Sequence, residues 1–304
     1  LDYHKTMDHY FESKTSLFTH FLGKSMKPHS LSLINLDDPK GRLLWGKLSQ
    51  PKMSYGLNGE RDIHAKDINA FITGLSATVI TPQGNFPLRS PLLGEFNLYN
   101  ILASAGIGLA LKVALEEVRG GIEALSGVPG RVERIQNEKG FHIFVDYAHT
   151  PDALEQILRS MEKFKGAGRI ITVFGCGGDR DKQKRPLMGA IAGRYSDLAV
   201  ITSDNPRTED PRAIIEEIEG GMRTRSIREI DREELSGGLK EGGYVKVLDR
   251  REAIRLAIKL AKAGDVVIIA GKGHEDYQII GRGMFPFDDR HEIKEALKNV
   301  RHEK

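Results

Sequence analysis

The chain has 304 residues, of which 39% are hydrophobic and 29% charged, and its 45 basic and 42 acidic residues leave a net charge of +3. This composition is typical of a globular protein with two domains, and it argues against membrane spans and against a nucleic-acid partner. The single cysteine, Cys176, excludes an internal disulfide and favours a reducing compartment, so we expect a cytoplasmic protein.

The first half of the chain mixes helices with strands. It begins at Leu1, without an initiator methionine, so we expect a piece of a longer polypeptide. Residue patterns predict helices over 6–22 and 97–118, strands over 31–38 and 71–79, and a turn over 81–87. Gly127, Pro129 and Gly130 then interrupt the helical pattern, which places a domain boundary near Val128.

In the second half, short β-branched runs alternate with amphipathic stretches of helical period. The predicted strands cover 141–146, 169–174, 198–203, 244–248 and 265–270. The predicted helices cover 151–164, 211–222 and 251–264. Two of these helices begin with a polar cap followed by proline, at Thr150-Pro151 and Asp210-Pro211. The alternation predicts an α/β fold whose mostly parallel sheet has helices on both faces.

Polar loops follow the predicted strands of the second half. Because the carboxyl ends of parallel strands meet at one edge of a sheet, we expect these loops to form one site. Gly175, Gly177 and Gly178 follow the second strand and permit close approach of a ligand to the backbone, although the G-x-x-x-x-G-K-[ST] phosphate-loop sequence is absent. Arg180 and Arg207 carry planar guanidinium groups suited to a carboxylate.

The charges at this edge indicate an acidic ligand that also carries an amine. Glu275, in the loop after the fifth strand, can hold an ammonium group, so an amino acid fits better than a triphosphate. Asp179 and Asp181 suit either a metal ion or pairing with the neighbouring arginines, and pairing is the favoured interpretation. Arg180 taken alone is explained equally well as a solvated surface residue.

The loops and the segments before them resemble the Mur ligase family over essentially the whole chain. The motifs occur in family order as LDYH, MDHYFESKTSLF, LLGEFNLYN, GVPGRVERI, VDYAHTPDAL, FGCGGDRDKQKRPLM, SDNPRTEDP and AGKGHEDYQ. The resemblance implies part of a central ATP-binding domain over residues 1–128 and a Rossmann-like, amino-acid-binding C-terminal domain over residues 129–304. The family's N-terminal domain and its phosphate loop would lie before Leu1, so we expect little ligase activity from this chain alone.

The same resemblance indicates which amino acid is bound. The tetrapeptide DNPR, at residues 204–207, accompanies meso-diaminopimelate in this family, and lysine-adding members carry a different sequence. Seven residues would surround the diaminopimelate: Arg180, Asp204, Asn205, Pro206, Arg207, Gly271 and Glu275. The distal carboxylate of that ligand matches the Arg207 guanidinium group, which lysine would leave unpaired.

Candidate nucleotide and Mg²⁺ residues also follow from the resemblance. Lys14 matches the family's carbamylated lysine, which would act with His4 as a metal ligand and catalytic group. Four residues match positions that contact ATP, namely Asn97, Asn100, Arg131 and Asp146. From the residues alone, Lys14 reads as a surface lysine, His4 as a structural histidine and the two asparagines as helix caps. Lys5 departs from the family, which usually has glycine after this histidine.

The implied reaction is ATP-dependent amide formation through an acyl phosphate, in which meso-diaminopimelate is joined to UDP-N-acetylmuramoyl-L-alanyl-D-glutamate for peptidoglycan precursor synthesis. The expected partners are these small molecules with ATP and Mg²⁺, and the expected state is a monomer that contacts neither membrane nor nucleic acid. The alternatives are a lysine- or glutamate-adding ligase of the same superfamily and a noncatalytic metabolite-binding module.

Overall fold

A computed structural model of the protein describes residues 4, 6–27 and 30–299. The chain divides into two compact units, Leu1–Ser126 and Gly127–Lys304, so the division falls close to Val128. Within the described ranges, no helix combines the length and the apolar character needed to cross a bilayer.

The first unit is built on a five-stranded sheet. Its elements are α1 (Met7–Ser16), a π-helical segment (Leu17–Leu22), β1 (Ser32–Asn35), α2 (Pro39–Lys47), β2 (Lys52–Gly56), β3 (Ile63–Phe71), β4 (Gly74–Thr81), β5 (Gly84–Ser90), α3 (Glu95–Ala110) and α4 (Leu115–Glu123). The strands lie in sequence order, β1 to β3 pair in parallel, and β3 to β5 pair antiparallel.

Two elements of the first unit differ from the sequence prediction. The helix predicted over 97–118 is interrupted, because Lys112 adopts a φ of 60° and the amide of Val113 donates to the carbonyl of Gly108, which ends α3. The strand predicted over 71–79 contains a turn between β3 and β4, so an apolar run that continues through a turn was wrongly read as one strand. The turn predicted over 81–87 is confirmed between β4 and β5.

The second unit is a six-stranded sheet covered by helices. Its elements are β6 (Glu133–Ile135), β7 (His142–Asp146), α5 (Pro151–Glu162), β8 (Ile170–Phe174), α6 (Lys184–Tyr195), β9 (Leu198–Ile201), α7 (Pro211–Arg223), a 3₁₀ turn (Glu234–Gly237), β10 (Gly243–Lys246), α8 (Arg250–Leu260), β11 (Val266–Ala270), β12 (Tyr277–Ile280), β13 (Gly283–Pro286) and α9 (Asp289–Asn299). The sheet order is β10–β9–β8–β11–β7–β6, in which only the edge strand β6 runs antiparallel, and β12 and β13 form a separate hairpin.

The predicted α/β fold of this unit is confirmed, with all five predicted strands in one parallel sheet. The two central strands are buried on both faces, since every residue of β8 and β11 is buried. The predicted caps are also present: Thr150 accepts a hydrogen bond from the amide of Ala153, and Asp210 accepts one from the amide of Arg212. The sheet is therefore a rigid support for the loops at its carboxyl edge.

A buried ion pair joins α8 to α9. The Arg250 guanidinium donates to both carboxylate oxygens of Asp289, at 2.8 and 2.7 Å, and both side chains are 0% exposed. Asp289→Ala leaves the guanidinium buried without its partner, so we expect the free energy of unfolding in urea to fall by about 3–5 kcal/mol.

The pair between Arg255 and Glu252 on α8 is the control, because its side chains are 46% and 43% exposed. Arg255→Ala should cost less than about 1 kcal/mol. The double change Arg250→Met with Asp289→Leu should recover most of the loss, since it removes both charges. An Asp289→Ala protein as stable as the Arg255→Ala protein would show that the buried pair contributes nothing.

Candidate functional site

The loops that follow β7, β8, β9 and β11 lie together at the carboxyl edge of the second sheet. The loops after β8 and β9 approach each other backbone to backbone: a Cβ atom added at Gly178 would lie 1.8 Å from the carbonyl oxygen of Pro206. The amide of Gly178 donates to the carbonyl of Asn205 at 2.9 Å. Glycine is therefore required at position 178 by the close approach of the DNPR loop.

The side chains of Arg180 and Arg207 both pass close to Gly177, and Nη1 of the exposed Arg180 donates to the carbonyl of Asp179 at 2.9 Å. A Cβ atom added at Gly177 would lie 3.0 Å from Nη1 of Arg207 and 3.8 Å from Cγ of Arg180. Nη1 of Arg207 also donates to the carbonyl of Gly178 at 2.9 Å. Neither arginine forms an ion pair with any carboxylate in the part of the chain that the structure describes. Both guanidinium groups thus remain available to an acidic ligand.

The hairpin of β12 and β13 fixes the backbone of Arg207. The amide of Arg207 donates to the carbonyl of Ile279 at 3.1 Å, and its carbonyl accepts from the amide of Gly281 at 2.7 Å. These bonds hold Arg207 at a φ of 52°, a conformation that a residue with a Cβ atom rarely adopts. The sequence analysis did not find this hairpin, which gives Arg207 its direction.

The predicted pairing of Asp179 and Asp181 with arginines is wrong. Asp179 accepts hydrogen bonds from the amide and hydroxyl of Thr208, with a shortest distance of 2.8 Å, and Asp181 accepts from the amide of Gln183 at 2.9 Å. Short acidic side chains compete well for nearby backbone amides in loops. Both aspartates therefore shape the loop after β8, and they leave the arginines unneutralised.

Arg185 and Glu209 support the same loop from below. The Arg185 side chain is 0% exposed and makes a two-point contact with Glu209, at 3.0 and 2.9 Å, while also donating to the carbonyl of Gly177. Glu209 accepts a hydrogen bond from the amide of Asp179 as well. The hydrogen bonds from Arg185 lower the pKa of Glu209 from 4.5 to about 2.

This depressed pKa predicts an acid-sensitive fold. A carboxylate with a lowered pKa stabilises the folded state above its ordinary pKa, and the contribution is lost as the pH falls toward 2. Between pH 6 and pH 3 the free energy of unfolding should fall by about 2 kcal/mol more in the unchanged chain than in Glu209→Gln. Urea unfolding across this range measures it, with the exposed Glu216→Gln as control. Parallel pH profiles for the unchanged chain and Glu209→Gln would contradict the assignment.

A second cluster, formed by Asn205, Lys272 and Glu275, lies beside the arginines. The Asn205 amide donates to Oε2 of Glu275 at 2.9 Å, and Nζ of Lys272 donates to the same Oε2 at 3.2 Å. Oε1 of Glu275 accepts no hydrogen bond from any described residue, and Glu275 is half-buried. The carboxylate can therefore accept a further donor, such as an ammonium group.

Asp204, Pro206 and Gly271 complete the set of predicted binding residues. Asp204 is buried, and its carboxylate lies 3.4 Å from Nζ of Lys272 and 3.3 Å from the position of a Cβ atom on Gly271. Pro206 contributes its carbonyl, which accepts from the amide of Glu209 at 3.1 Å. These three residues are buried, whereas Arg180 is exposed and Arg207 and Glu275 are partly exposed.

Asp146 and Arg131 lie at the end of β7. Both carboxylate oxygens of Asp146 accept backbone hydrogen bonds, from Val132 at 2.8 Å and Ala148 at 2.7 Å, and burial raises the pKa of Asp146. Arg131 is exposed, and its guanidinium lies 5.4 Å from the ring centre of Tyr147. Asp146 therefore organises the loop around it, while Arg131 faces solvent.

Cys176 carries no chemistry at this edge. Its side chain is 2% exposed and its sulfur lies 3.6 Å from that of Met188. Burial raises the pKa of the thiol to about 12, so it stays protonated at neutral pH.

In the first unit, Asn97 and Asn100 lie one turn apart on α3. Asn97 is 2% exposed and donates to the carbonyl of Leu93 at 2.7 Å, while its Oδ1 accepts from Asn100 at 3.3 Å. Asn100 is exposed. Asn97 therefore orients Asn100, which is the member of the pair able to reach a ligand directly.

His4 and Lys14 approach the same aromatic ring. The imidazole of His4 lies 5.3 Å from the ring centre of Tyr10, and Nζ of Lys14 lies 5.4 Å from it. No three histidine, cysteine, aspartate or glutamate side chains within the described ranges are grouped to hold a metal. The Lys14 ammonium group itself cannot bind a cation, so only a carbamate on Lys14 would supply oxygen ligands there. Lys5, where the sequence departs from the family, lies outside the described residues.

Each of the two units matches a known protein domain. Residues 1–108 match the Mur ligase middle domain, and residues 130–273 match the glutamate ligase domain of Mur ligases. The chain is 52% identical over 301 residues to the UDP-N-acetylmuramoyl-L-alanyl-D-glutamate--2,6-diaminopimelate ligase of Geobacter metallireducens, covering 99% of the chain and 59% of that protein. A protein of the same name from Clostridioides difficile is 42% identical over 303 residues, covering 99% of the chain and 58% of the relative.

Solved structures give the same result. A ligase structure of that name superposes with a TM-score of 0.59 at 35% identity, covering 99% of this chain and 58% of the other. The MurF ligase from Thermotoga maritima in complex with ADP has a TM-score of 0.65 at 18% identity, covering 98% of this chain and 58% of that one, which supports the fold alone. The chain thus spans less than two thirds of the length of these relatives. From the two domain matches and these identities, the chain belongs to the Mur ligase family.

Proposed function

We propose that the protein to which this chain belongs is an ATP-dependent ligase that adds meso-diaminopimelate to UDP-N-acetylmuramoyl-L-alanyl-D-glutamate in peptidoglycan precursor synthesis. One observation carries the proposal: two arginines with no carboxylate partner among the described residues pass close to Gly177, and Glu275 keeps one carboxylate oxygen that no described residue occupies. A ligand with two carboxylates and an ammonium group complements such a site. The names of the relatives support the same substrate.

In this proposal the second unit receives the amino acid. Arg207 and Arg180 bind the distal carboxylate, and Glu275 and Asn205 bind the zwitterionic end of the same ligand. Asp204, Pro206 and Gly271 shape the site through their contacts with one another and with the loop after β8. Residues 129–304 are then the amino-acid-binding domain.

The first unit supplies residues for the nucleotide in this proposal. Residues 1–128 are part of the ATP-binding domain, in which Asn100, oriented by Asn97, contacts the adenine. Arg131 and Asp146 contact the nucleotide, and the Asp146 carboxylate accepts hydrogen bonds from the ribose hydroxyls. His4 and carbamylated Lys14 would hold Mg²⁺, which supplies screening of the phosphate charges when bound.

The reaction joins a carboxylate to an amine through two transfers. The substrate carboxylate takes the γ-phosphoryl group of ATP, giving an acyl phosphate and ADP. The diaminopimelate amine then attacks the acyl carbon, and phosphate leaves as the amide forms. The described residues contribute by orienting the amine, because Glu275 and Arg207 fix both ends of the molecule that carries it.

The same proposal makes the protein a cytoplasmic monomer that acts on small molecules, without a nucleic-acid or membrane partner. Because the chain spans about three fifths of its relatives, we expect the 304-residue chain alone to bind diaminopimelate with little or no turnover.

The test compares the chain alone with the complete protein. ADP release and product mass are measured with UDP-N-acetylmuramoyl-L-alanyl-D-glutamate, ATP, Mg²⁺ and one amino acid at a time. Product with meso-diaminopimelate supports the proposal, and product with lysine or glutamate instead identifies another ligase of the superfamily. A complete protein that binds diaminopimelate but releases no ADP with any of them would indicate a noncatalytic binding module.

A further inference from the structure

Lys272 is buried at the centre of the amino-acid site. It lies between two glycines with left-handed backbones, Gly271 with a φ of 115° and Gly273 with a φ of 55°. A Cβ atom on Gly273 would lie 2.7 Å from Cβ of Tyr147, so the backbone at 273 has room for glycine alone. This local geometry turns the Lys272 side chain inward, where it is 0% exposed.

The Lys272 ammonium group reaches acceptors from two different loops. Nζ lies 2.9 Å from Oδ1 of Asn205, 3.2 Å from Oε2 of Glu275 and 3.4 Å from Oδ1 of Asp204. An ammonium group has three N–H donors, so these contacts use its full capacity. Lys272 therefore ties the loop after β9 to the loop after β11.

The same contacts decide which way the Asn205 amide faces. Its oxygen receives hydrogen bonds from Lys272 and from the amide of Ile279 at 3.0 Å, and its nitrogen then donates to Glu275. Turning the amide over would place its NH₂ group against two donors. Lys272 also supplies a positive charge between Asp204 and Glu275, whose carboxylates would otherwise share a poorly solvated region.

We propose that Lys272 is a positioning residue of the amino-acid site: without touching the ligand, its buried ammonium group holds Asn205 and Glu275 in the orientation that receives the zwitterionic end. This inference rests on the proposed function. The prediction differs from that for Arg207, because Arg207 is held by the carbonyl of Gly178 and by the backbone of Ile279 and Gly281, whereas Lys272 acts on Asn205 and Glu275.

The test is Lys272→Met, which keeps the length of the side chain and removes its charge. Calorimetry or NMR titration of the full chain measures the affinity for meso-diaminopimelate and for lysine. We expect both affinities to fall by roughly 30-fold, as when one partner of a buried charge pair is lost from a binding site, so that their ratio is retained. Unchanged affinity for both ligands would overturn the proposal, and so would a selective loss of diaminopimelate.

Lys165→Met is the matched control. Lys165 also forms an ion pair, with Asp197 at 3.0 Å, but at the opposite edge of the sheet, where Asp197 precedes β9. Its ligand affinities should equal those of the unchanged chain. If Lys272→Met does not fold, Lys272→Gln keeps a donor toward Asn205 and serves as the second variant, with a smaller loss in the same direction expected.

A readout without ligand separates this inference from the proposed function. The side-chain amide resonances of Asn205 should shift and exchange faster with solvent in Lys272→Met and stay unchanged in Lys165→Met. If the unchanged chain binds no diaminopimelate, the proposed substrate is wrong, and the Asn205 resonances still decide whether Lys272 positions this amide. If the Asn205 side-chain amide resonances are the same in Lys272→Met and in the unchanged chain, the positioning role of Lys272 is rejected.

Discussion

Arg207→Ala is expected to weaken binding of meso-diaminopimelate by roughly 100- to 1,000-fold while leaving the weaker binding of lysine almost unchanged. The guanidinium group at this position has no carboxylate partner among the described residues, and a lost charge-assisted contact in a desolvated site costs about 3–4 kcal/mol. Calorimetry on the full chain measures both affinities. Under the proposed function, the same change in the complete protein should shift the preference from diaminopimelate toward lysine.

Two features of position 207 ensure that Arg207→Ala changes the guanidinium group without changing the backbone. Alanine carries the same Cβ atom as arginine, so the strain of the 52° φ is equal in both proteins, and the backbone bonds to Ile279 and Gly281 are retained. Arg225→Ala, at an exposed residue just after the C-terminal end of α7, removes an equal charge at the end of that helix away from the loop after β9, and it should bind as the unchanged chain does. Equal affinities in Arg207→Ala and Arg225→Ala would reject the assignment of Arg207 to the distal carboxylate.

The second sheet could be predicted from sequence because its strands are buried on both faces. Strands such as Ile170–Phe174 and Val266–Ala270 are continuous apolar runs bounded by turn residues. Such a run can be recognised from the sequence without knowing which strands lie beside it. The edge strand β6 and the hairpin of β12 and β13 were not predicted. They are short and partly exposed, so their sequences lack that continuous apolar signal.

Helix α6 was not among the helices predicted from the sequence, and it contains glycines at positions 189 and 193. Gly189 of α6 and Gly221 of α7 allow the two helices to meet with backbones in contact: a Cβ atom on Gly221 would lie 1.8 Å from the carbonyl of Pro186. Glycine lowers helix propensity in isolation, and here close packing decides instead. The contact between the two helices is a tertiary interaction, and a local sequence pattern does not reveal it.

The candidate site shows the same division between local and long-range information. The glycine loop and the positions of Arg180, Arg207 and Glu275 follow from strand ends, which sequence marks clearly. Lys272 was missed because a lysine between glycines is typical of a solvated loop. The sequence did contain one indication of a buried lysine. Lys272 follows a fully buried strand almost directly and lies between Gly271 and Gly273, which have no side chains of their own to fill the space there.

Under the proposed function, replacing Lys14 with alanine in the complete protein is expected to lower kcat by roughly 100- to 1,000-fold, because a ligand of the cation that screens phosphate charge would supply several kcal/mol. KM for diaminopimelate should change little, since the proposed amino-acid contacts belong to the second unit. Steady-state kinetics with each substrate varied separately measures the two effects. The structural basis is the approach of Lys14 and His4 to the ring of Tyr10.

Two further variants distinguish the effect of carbamylation of Lys14 from the effect of its positive charge. Lys14→Arg keeps the positive charge but cannot carry a carbamate, so it should be as slow as Lys14→Ala, whereas Lys24→Ala, at another exposed lysine, should be unimpaired. Acetate should partly restore Lys14→Ala, because a free carboxylate can occupy the place of the carbamate oxygens. Full activity in Lys14→Arg would show that Lys14 does not bind the metal as a carbamate. This result would not bear on the proposed amino-acid site of the second unit, because that site depends on Arg207 and Glu275.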